Sequence, residues 1–372
     1  MQFNDIIGQT TAIRQLREMV DHERLPHALL LLGNSGSGSL AVALALVQYV
    51  LCENRNGSEP CGVCKQCTKA SKWIHPDIHY AYPTIKLDTQ EPVSTDFLVP
   101  WRAALQQNPY MSAQQWFERL GAENKQGNIT AKECVDIVRK LSFKAYEGRY
   151  KVLVLWLPEY LQKEGNRLLK IIEEPPENTL FILVAENQEL ILPTILSRCQ
   201  LVKILPLQDS EIEEALMKQF GMPKSEALTI AHLAEGDWNE ALALIDQSEQ
   251  DRANLFLDWM RKCYRGDAAE LVQWVEKFAP LGREKQKHFL QYGLHFLREM
   301  LVLILTGSDY LRLLPAELET ARRMSSALSF NKIEALTQLF NDCIFYIERN
   351  ANPKILMLDA SLNINRTFNQ KK

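Results

Sequence analysis

An apolar run, a glycine-spaced loop and an apolar helix follow one another between residues 27 and 51, and that order restricts the chain to folds built on a parallel sheet. His27-Ala28-Leu29-Leu30-Leu31-Leu32 has the length and flanks of a buried strand. Gly33-Asn34-Ser35-Gly36-Ser37-Gly38-Ser39-Leu40 then carries the glycine spacing of a phosphate loop, and a helix is expected over 40–51. Downstream, strands are expected at 151–157, 179–185 and 200–204. Between them lie a helix at 162–174, stopped by Pro175-Pro176, and a short one at 193–199. Strands alternating with helices predict a sheet covered on both faces.

A working phosphate loop ends in Lys, which reaches the β- and γ-phosphates, and a Ser or Thr whose hydroxyl binds Mg²⁺. Here Ser39 holds the lysine position and Leu40 the hydroxyl position. The following strand would need an acidic end to hold the metal, but it ends in Trp156-Leu157-Pro158. Glu159 comes after Pro158, too late in register for that role. Gly33, Gly36, Gly38 and Ser39 are therefore a degenerate nucleotide site, with ATP bound weakly or not at all and no hydrolysis. A plain tight turn is the other reading of the same residues.

Cys52, Cys61, Cys64 and Cys67 give the spacing C-x₈-C-x₂-C-x₂-C. No basic and apolar leader opens the chain, so a cytoplasmic protein with few disulfides is expected. Four thiolates at this spacing then predict a closed, structural Zn²⁺ site rather than disulfides. Four reduced cysteines without metal are the alternative. His75 and His79 follow closely but are not needed as ligands.

Ser197-Arg198-Cys199 ends the short helix after Pro193. Arg198 there is either a cation capping a helix C-terminus or, beside a dead phosphate loop, an arginine reaching into a neighbour's ATP site. The net charge of −4 and the pI of about 6.1 lack the basic footprint of a protein that grips nucleic acid alone. No apolar run approaches the roughly 18 residues of a membrane span.

Beyond residue 205 the pattern turns helical, with helices expected at 209–220, 224–234 and 239–247, then longer ones such as 283–305 and 331–349. Residues 83–128 fit the sheet domain poorly. Their aromatics Phe97, Trp101, Tyr110, Trp116 and Phe117 read as an insertion packing on the domain, with a partner-binding surface as the other reading.

Taken in order, these motifs resemble the δ′ subunits of the bacterial DNA polymerase III clamp loader, within the AAA+ superfamily. The matching stretches are Asp5-Ile6-Ile7-Gly8-Gln9, Leu25-Pro26-His27-Ala28-Leu29, the cysteine knot, Asn166-Arg167-Leu168-Leu169-Lys170-Ile171-Ile172-Glu173-Glu174-Pro175-Pro176 and Ser197-Arg198-Cys199. The resemblance implies an α/β AAA+-type sheet domain over 1–205 with an inserted zinc module at 52–67. A helical lid over 206–250 and an all-α collar over 251–372 follow. It also implies a non-hydrolysing subunit whose Arg198, supported by Ser197 and Cys199, acts in trans on a neighbouring ATPase. The implied partners are γ/τ subunits, a δ subunit, the sliding clamp and primed DNA. Asn239 stands where ATP-binding relatives carry a nucleotide-sensing Arg. The alternative is a γ/τ-like ATPase with an unusual loop. The 83–128 insertion has no counterpart in the δ′ pattern.

Overall fold

The computed structural model describes residues 1–86, 91–121, 127–245, 249–307, 313, 315–325 and 328–369. They form two compact units, Met1–Leu242 and Ala243–Lys372.

The first unit is built on five parallel strands: β1 (Ala28–Leu32), β2 (Ile78–Ala81), β3 (Lys151–Trp156), β4 (Thr179–Ala185) and β5 (Gln200–Lys203). Their order is β2-β3-β4-β1-β5. Leu30 pairs with Leu183 on one side and Leu201 on the other. β3 and β4 are buried along their whole length, as a sheet covered on both faces requires. The chain leaves β1 toward the far edge, returns through β3 and β4, then passes β1 to add β5. Connections from the carboxyl ends of β1 and β4 thus run in opposite directions, which opens a crevice there.

The sheet is flanked by α1 (Thr10–Asp21), α2 (Ser39–Leu51), α3 (Lys65–Ser71), α4 (Leu98–Gln107), α5 (Ala113–Arg119), α6 (Ala131–Ser142), α7 (Leu169–Glu173) and α8 (Pro193–Leu196). Every residue of α2 is buried, in keeping with a helix apolar on all sides. Against the sheet, Cys134, Ile137 and Leu141 of α6 join Leu161, Leu168, Ile172 and Ile195 in one core with Leu153, Leu155, Phe181 and Leu183.

The helix expected at 162–174 is not continuous. Residues Pro158–Leu168 form tight 3₁₀ turns broken at Gln162 (φ 46°, ψ −132°), and only Leu169–Glu173 is α-helical. The break lets Leu161 before it and Leu168 after it reach the same core. The insertion contributes a 3₁₀ turn at Ser94–Phe97 with α4 and α5; residues 87–90 and 122–126 of it lie outside the described residues.

Beyond β5 come α9 (Asp209–Phe220), α10 (Lys224–Leu233) and α11 (Trp238–Ile245). The expected helix at 239–247 runs into residues 246–248, outside the described residues. The first unit extends through Leu242.

The second unit contains α12 (Glu249–Arg265), α13 (Ala268–Phe278), α14 (Arg283–Thr306), α15 (Pro315–Ser325), α16 (Phe330–Glu348) and α17 (Pro353–Asn369). Phe256, Trp259, Phe289, Phe296 and Phe340 form its aromatic centre. Among the described helices Lys285–Thr306 is long and apolar enough to cross a membrane, which the sequence reading missed. Half of that window is buried inside the protein, as in the core helix of a bundle.

Candidate functional site

The loop between β1 and α2 keeps the phosphate-loop path. Gly36 and Gly38 adopt positive φ (68° and 92°), which glycine accepts without a Cβ penalty. Gly33 N–H donates to Ala185 O (3.0 Å), fixing the loop to the end of β4. Where a lysine would reach outward, Ser39 is buried and its hydroxyl lies 3.1 Å from that of Ser37, whose own hydroxyl donates to Asn34 O (2.6 Å). Leu40 is also buried. The loop is thus satisfied internally.

The acidic strand end is absent as well. Trp156 at the end of β3 is buried against Trp101 of α4 (ring centroids 5.3 Å apart), and Tyr82 stacks on the same Trp101 (4.0 Å). Glu159 does reach the carboxyl edge of the sheet, but it serves the backbone there. Its Oε1 accepts from the N–H groups of Glu186 (2.6 Å) and Asn187 (2.7 Å).

Glu186, which sequence reasoning missed, lines the crevice from the end of β4. Burial, then the neighbouring Glu159 and Asp237 carboxylates, pushes its carboxyl up to about 7.

The crevice is bounded by Gly33–Gly36, Gly38–Leu40, Pro109–Met111, Trp156 and Val184–Glu186, with a cavity of about 20 Å³. That volume holds about one water, whereas ligand pockets run to roughly 300–1,000 Å³. Tyr110 fills the missing space. Its ring lies over Gly38, where an added Cβ would come 2.7 Å from Tyr110 Cε1. The Tyr110 hydroxyl accepts from Ile7 N–H (2.8 Å), and its carbonyl accepts from Asn239 Nδ2 (2.7 Å). Asn108 Nδ2 donates to Asn239 Oδ1 (2.7 Å). Asn239 therefore faces the insertion rather than a phosphate.

A larger groove of about 700 Å³ lies between residues 3–17 and α9, and it includes none of the loop. Asp5, Glu59, Glu211 and Glu214 outnumber Arg17 and Lys218 in its lining, a poor match for a polyphosphate.

Arg198 is not among the residues lining the crevice. Its Nε (3.0 Å) and Nη2 (2.7 Å) both donate to Glu173 Oε2. Nη1 donates to Thr194 O (2.9 Å), so the helix-capping reading holds in this conformation. Ser197 Oγ donates to the same Thr194 carbonyl (3.2 Å). Cys199 packs beneath the sheet, where burial pushes its thiol up to about 11.

The four cysteines converge as their spacing predicts, with all four Sγ atoms within 4.8 Å of one another. Cys61 and Cys67 Sγ lie 3.9 Å apart, close to the roughly 3.8 Å edge of a tetrahedron with Zn–S bonds of about 2.3 Å. Backbone N–H groups of Cys61, Cys64 and Cys67 donate to the sulfurs of Cys52, Cys61 and Cys64 at 3.2–3.4 Å, as around thiolate ligands. The donor set fits Zn²⁺, and it would tie the end of α2 to α3. His75 turns to Gln66, and His79 stands in β2; neither joins the sulfur cluster. Lys69 is held by Glu147 at 2.5–2.6 Å, committed to a neighbouring loop.

A family model described as DNA polymerase III, delta subunit, matches residues 8–208. The chain is similar to the DNA polymerase III subunit delta' of Bacillus subtilis (strain 168), 27% identical over 243 residues, 65% of this chain and 60% of that protein. It is 26% identical to the delta' subunit of Escherichia coli (strain K12) over 221 residues, 59% and 54% of the two chains. The tau subunit of the same organism is 25% identical over 252 residues, 66% of this chain but 33% of that one. The chain thus spans at most about 60% of the length of these curated relatives. A DNA polymerase III gamma subunit-related protein from Thermotoga maritima covers 96% of this chain, with 99% of its own length matched, at 13% identity and a TM-score of 0.40.

Proposed function

The chain belongs to the DNA polymerase III delta-subunit family, and on that premise we propose that it is the non-hydrolysing, δ′-type subunit of a replicative sliding-clamp loader. The observation that carries this reading is the crevice. A phosphate loop with its glycine path intact has Ser39 and Leu40 at the charge and metal positions, both buried, around a cavity of about 20 Å³. Neither the lysine charge nor the hydroxyl that would bind Mg²⁺ is available, and there is no room for a triphosphate.

What the subunit contributes instead is Arg198. It is carried on the turn after α8 with its side chain 30% exposed, and its partner Glu173 is 58% exposed. In this reading Arg198 exchanges Glu173 for the phosphates of a neighbouring γ/τ-type ATPase, where a planar guanidinium stabilises charge on the transferring phosphoryl group. Ser197 and Cys199 hold the turn. Zinc, held by Cys52, Cys61, Cys64 and Cys67, supplies structure only, because four thiolates leave no open coordination position. The segment 206–250 acts as a lid and 251–372 as a collar for assembly with γ/τ and δ subunits; clamp and primed DNA are met through the complex, in the cytoplasm.

Arg198→Ala tests the proposal: the reconstituted complex should assemble but hydrolyse ATP at least about tenfold more slowly. Unchanged turnover would overturn it. Similarity to tau and gamma subunits keeps an active ATPase as the second reading. Tight, Mg²⁺-dependent ATP binding by the isolated chain would favour that one.

A further inference from the structure

The 83–128 insertion is left without a task by the family pattern, yet its one turn between α4 and α5 reaches three segments remote from it in sequence. Tyr110 meets Ile7, 103 residues away, through its hydroxyl, and covers Gly38 with its ring. Its carbonyl meets Asn239, 129 residues away, and Asn108 meets the same side chain. The Trp238 ring lies 6.4 Å from that of Tyr110. A second anchor holds the turn in place: Trp101 and Trp116 meet edge to face at 5.2 Å, both fully buried, and Trp101 lies on Trp156. Trp116 Nε1 donates to Pro83 O (2.8 Å).

The positions of these contacts are those that a nucleotide would bridge in a crevice at the carboxyl ends of β1 and β4. A nucleotide there would lie over the N-terminus of α2 and place a planar ring with a polar edge against the segments around the crevice. Tyr110 supplies the ring, the polar edge and the link to Asn239. Trp156, which stands where a metal-holding acid would be needed, is covered by the same insertion.

We propose that the Asn108–Met111 turn is a built-in surrogate for nucleotide, permanently occupying the crevice and holding residues 237–242 against the sheet. The inference rests on the reading of the loop as inactive and extends it. The nucleotide site was not only stripped of its chemistry but filled, so this part of the first unit keeps one conformation while ATP comes and goes elsewhere. At Gly38 the close approach of the Tyr110 ring adds to the positive φ in excluding a side chain, since an added Cβ would strike that ring.

The test is amide hydrogen exchange on the full-length chain, read by peptide, for the native sequence, Tyr110→Phe, Tyr110→Ala and Asn108→Ala. Tyr110→Phe keeps the ring and removes the acceptor for Ile7 N–H, so exchange should speed up about tenfold there and little elsewhere. Tyr110→Ala should speed exchange at Ile7, across 33–40 and around Asn239 together, while the cysteine knot and 243–372 are unchanged. Millimolar ATP, with or without Mg²⁺, should leave the native exchange pattern as it is. Unchanged exchange at those three segments in Tyr110→Ala overturns the proposal, as does ATP-induced protection of 33–40 in the native chain. If Tyr110→Ala loses protection everywhere, Tyr110→Phe and Asn108→Ala decide: confined loss at Ile7 or Asn239 supports the surrogate, and no change refutes it. ATP hydrolysis by the native chain would instead sink the non-hydrolysing reading itself, and that is measured separately as phosphate release.

Discussion

Replacing Glu173 by Gln isolates what holds Arg198 at rest. In the structure two guanidinium nitrogens, Nε and Nη2, share one Glu173 oxygen at 3.0 and 2.7 Å, with the two side chains 30% and 58% exposed. An ion pair this open to solvent is worth about 0.2–1 kcal/mol. Removing it should raise the fraction of free Arg198 by about 1.4- to 5-fold, since 1.4 kcal/mol is about a factor of ten. The bond from Nη1 to Thr194 O remains and keeps the side chain near the turn. If Arg198 must leave Glu173 before a neighbour's ATP reacts, Glu173→Gln raises turnover of the reconstituted complex by no more than about fivefold. Arg198→Ala lowers it at least about tenfold, and Arg198→Lys stays close to Ala because an ammonium lacks the planar fork. Steady-state phosphate release with γ/τ-type subunits, clamp and primed DNA reads all three. A fall in turnover for Glu173→Gln, matching that of Arg198→Ala, would refute the parking argument and make Glu173 part of the finger's working geometry.

Purified protein should carry about one Zn per chain, and chelation or Cys64→Ser should lower the melting temperature sharply, because binding at such a site is on the order of 10 kcal/mol; a metal-free chain of equal stability would count against a structural knot. Asp77→Ala should cost about 3 kcal/mol in denaturant titrations, since this buried carboxylate accepts from the N–H groups of Tyr146 (2.6 Å), Glu147 (2.9 Å) and Gly148 (2.7 Å). Burial alone would raise the Asp77 carboxyl, but those three donors outweigh it and hold it below 3.8. Its contribution is therefore present above 3.8 and lost as pH falls through the depressed folded value. Glu186 has the opposite sign: raised from 4.5 to about 7, it costs nothing below 4.5 and destabilises the fold increasingly as pH climbs to about 7. Glu186→Gln should thus be more stable than the native chain at about pH 8, by roughly 1–3 kcal/mol, with the difference vanishing near about pH 4; a constant offset across pH would contradict the assignment.

Much of this molecule was legible in short stretches of chain. The strand Thr179–Ala185 and the helix Asp209–Phe220 have the limits that their apolar patterns and flanking residues predict. The cysteine spacing alone brought the four sulfurs together, because all of them lie within sixteen residues and Cys64 N-caps the helix that carries Cys67. The loss of charge and hydroxyl at Ser39 and Leu40 was equally plain, since each function in a phosphate loop belongs to one position. β2 was missed because four residues, one of them His79, carry too little period to mark a strand; pairing with β3 makes it one. The break at Gln162 was missed because it serves a core assembled from β3, β4, α6 and α8.

What occupies the crevice was beyond any local reading. Nothing in the run from Asn108 to Met111 distinguishes a surface turn from a plug. Its role depends on Ile7, Gly38 and Asn239 arriving at the same place from distant parts of the chain. Propensity and spacing act over a few residues, and they determined four of the five strands, the loop and the clustering of the four cysteines. Which side chain fills the space those elements enclose is a question of packing between remote segments, and only the tertiary structure decided it.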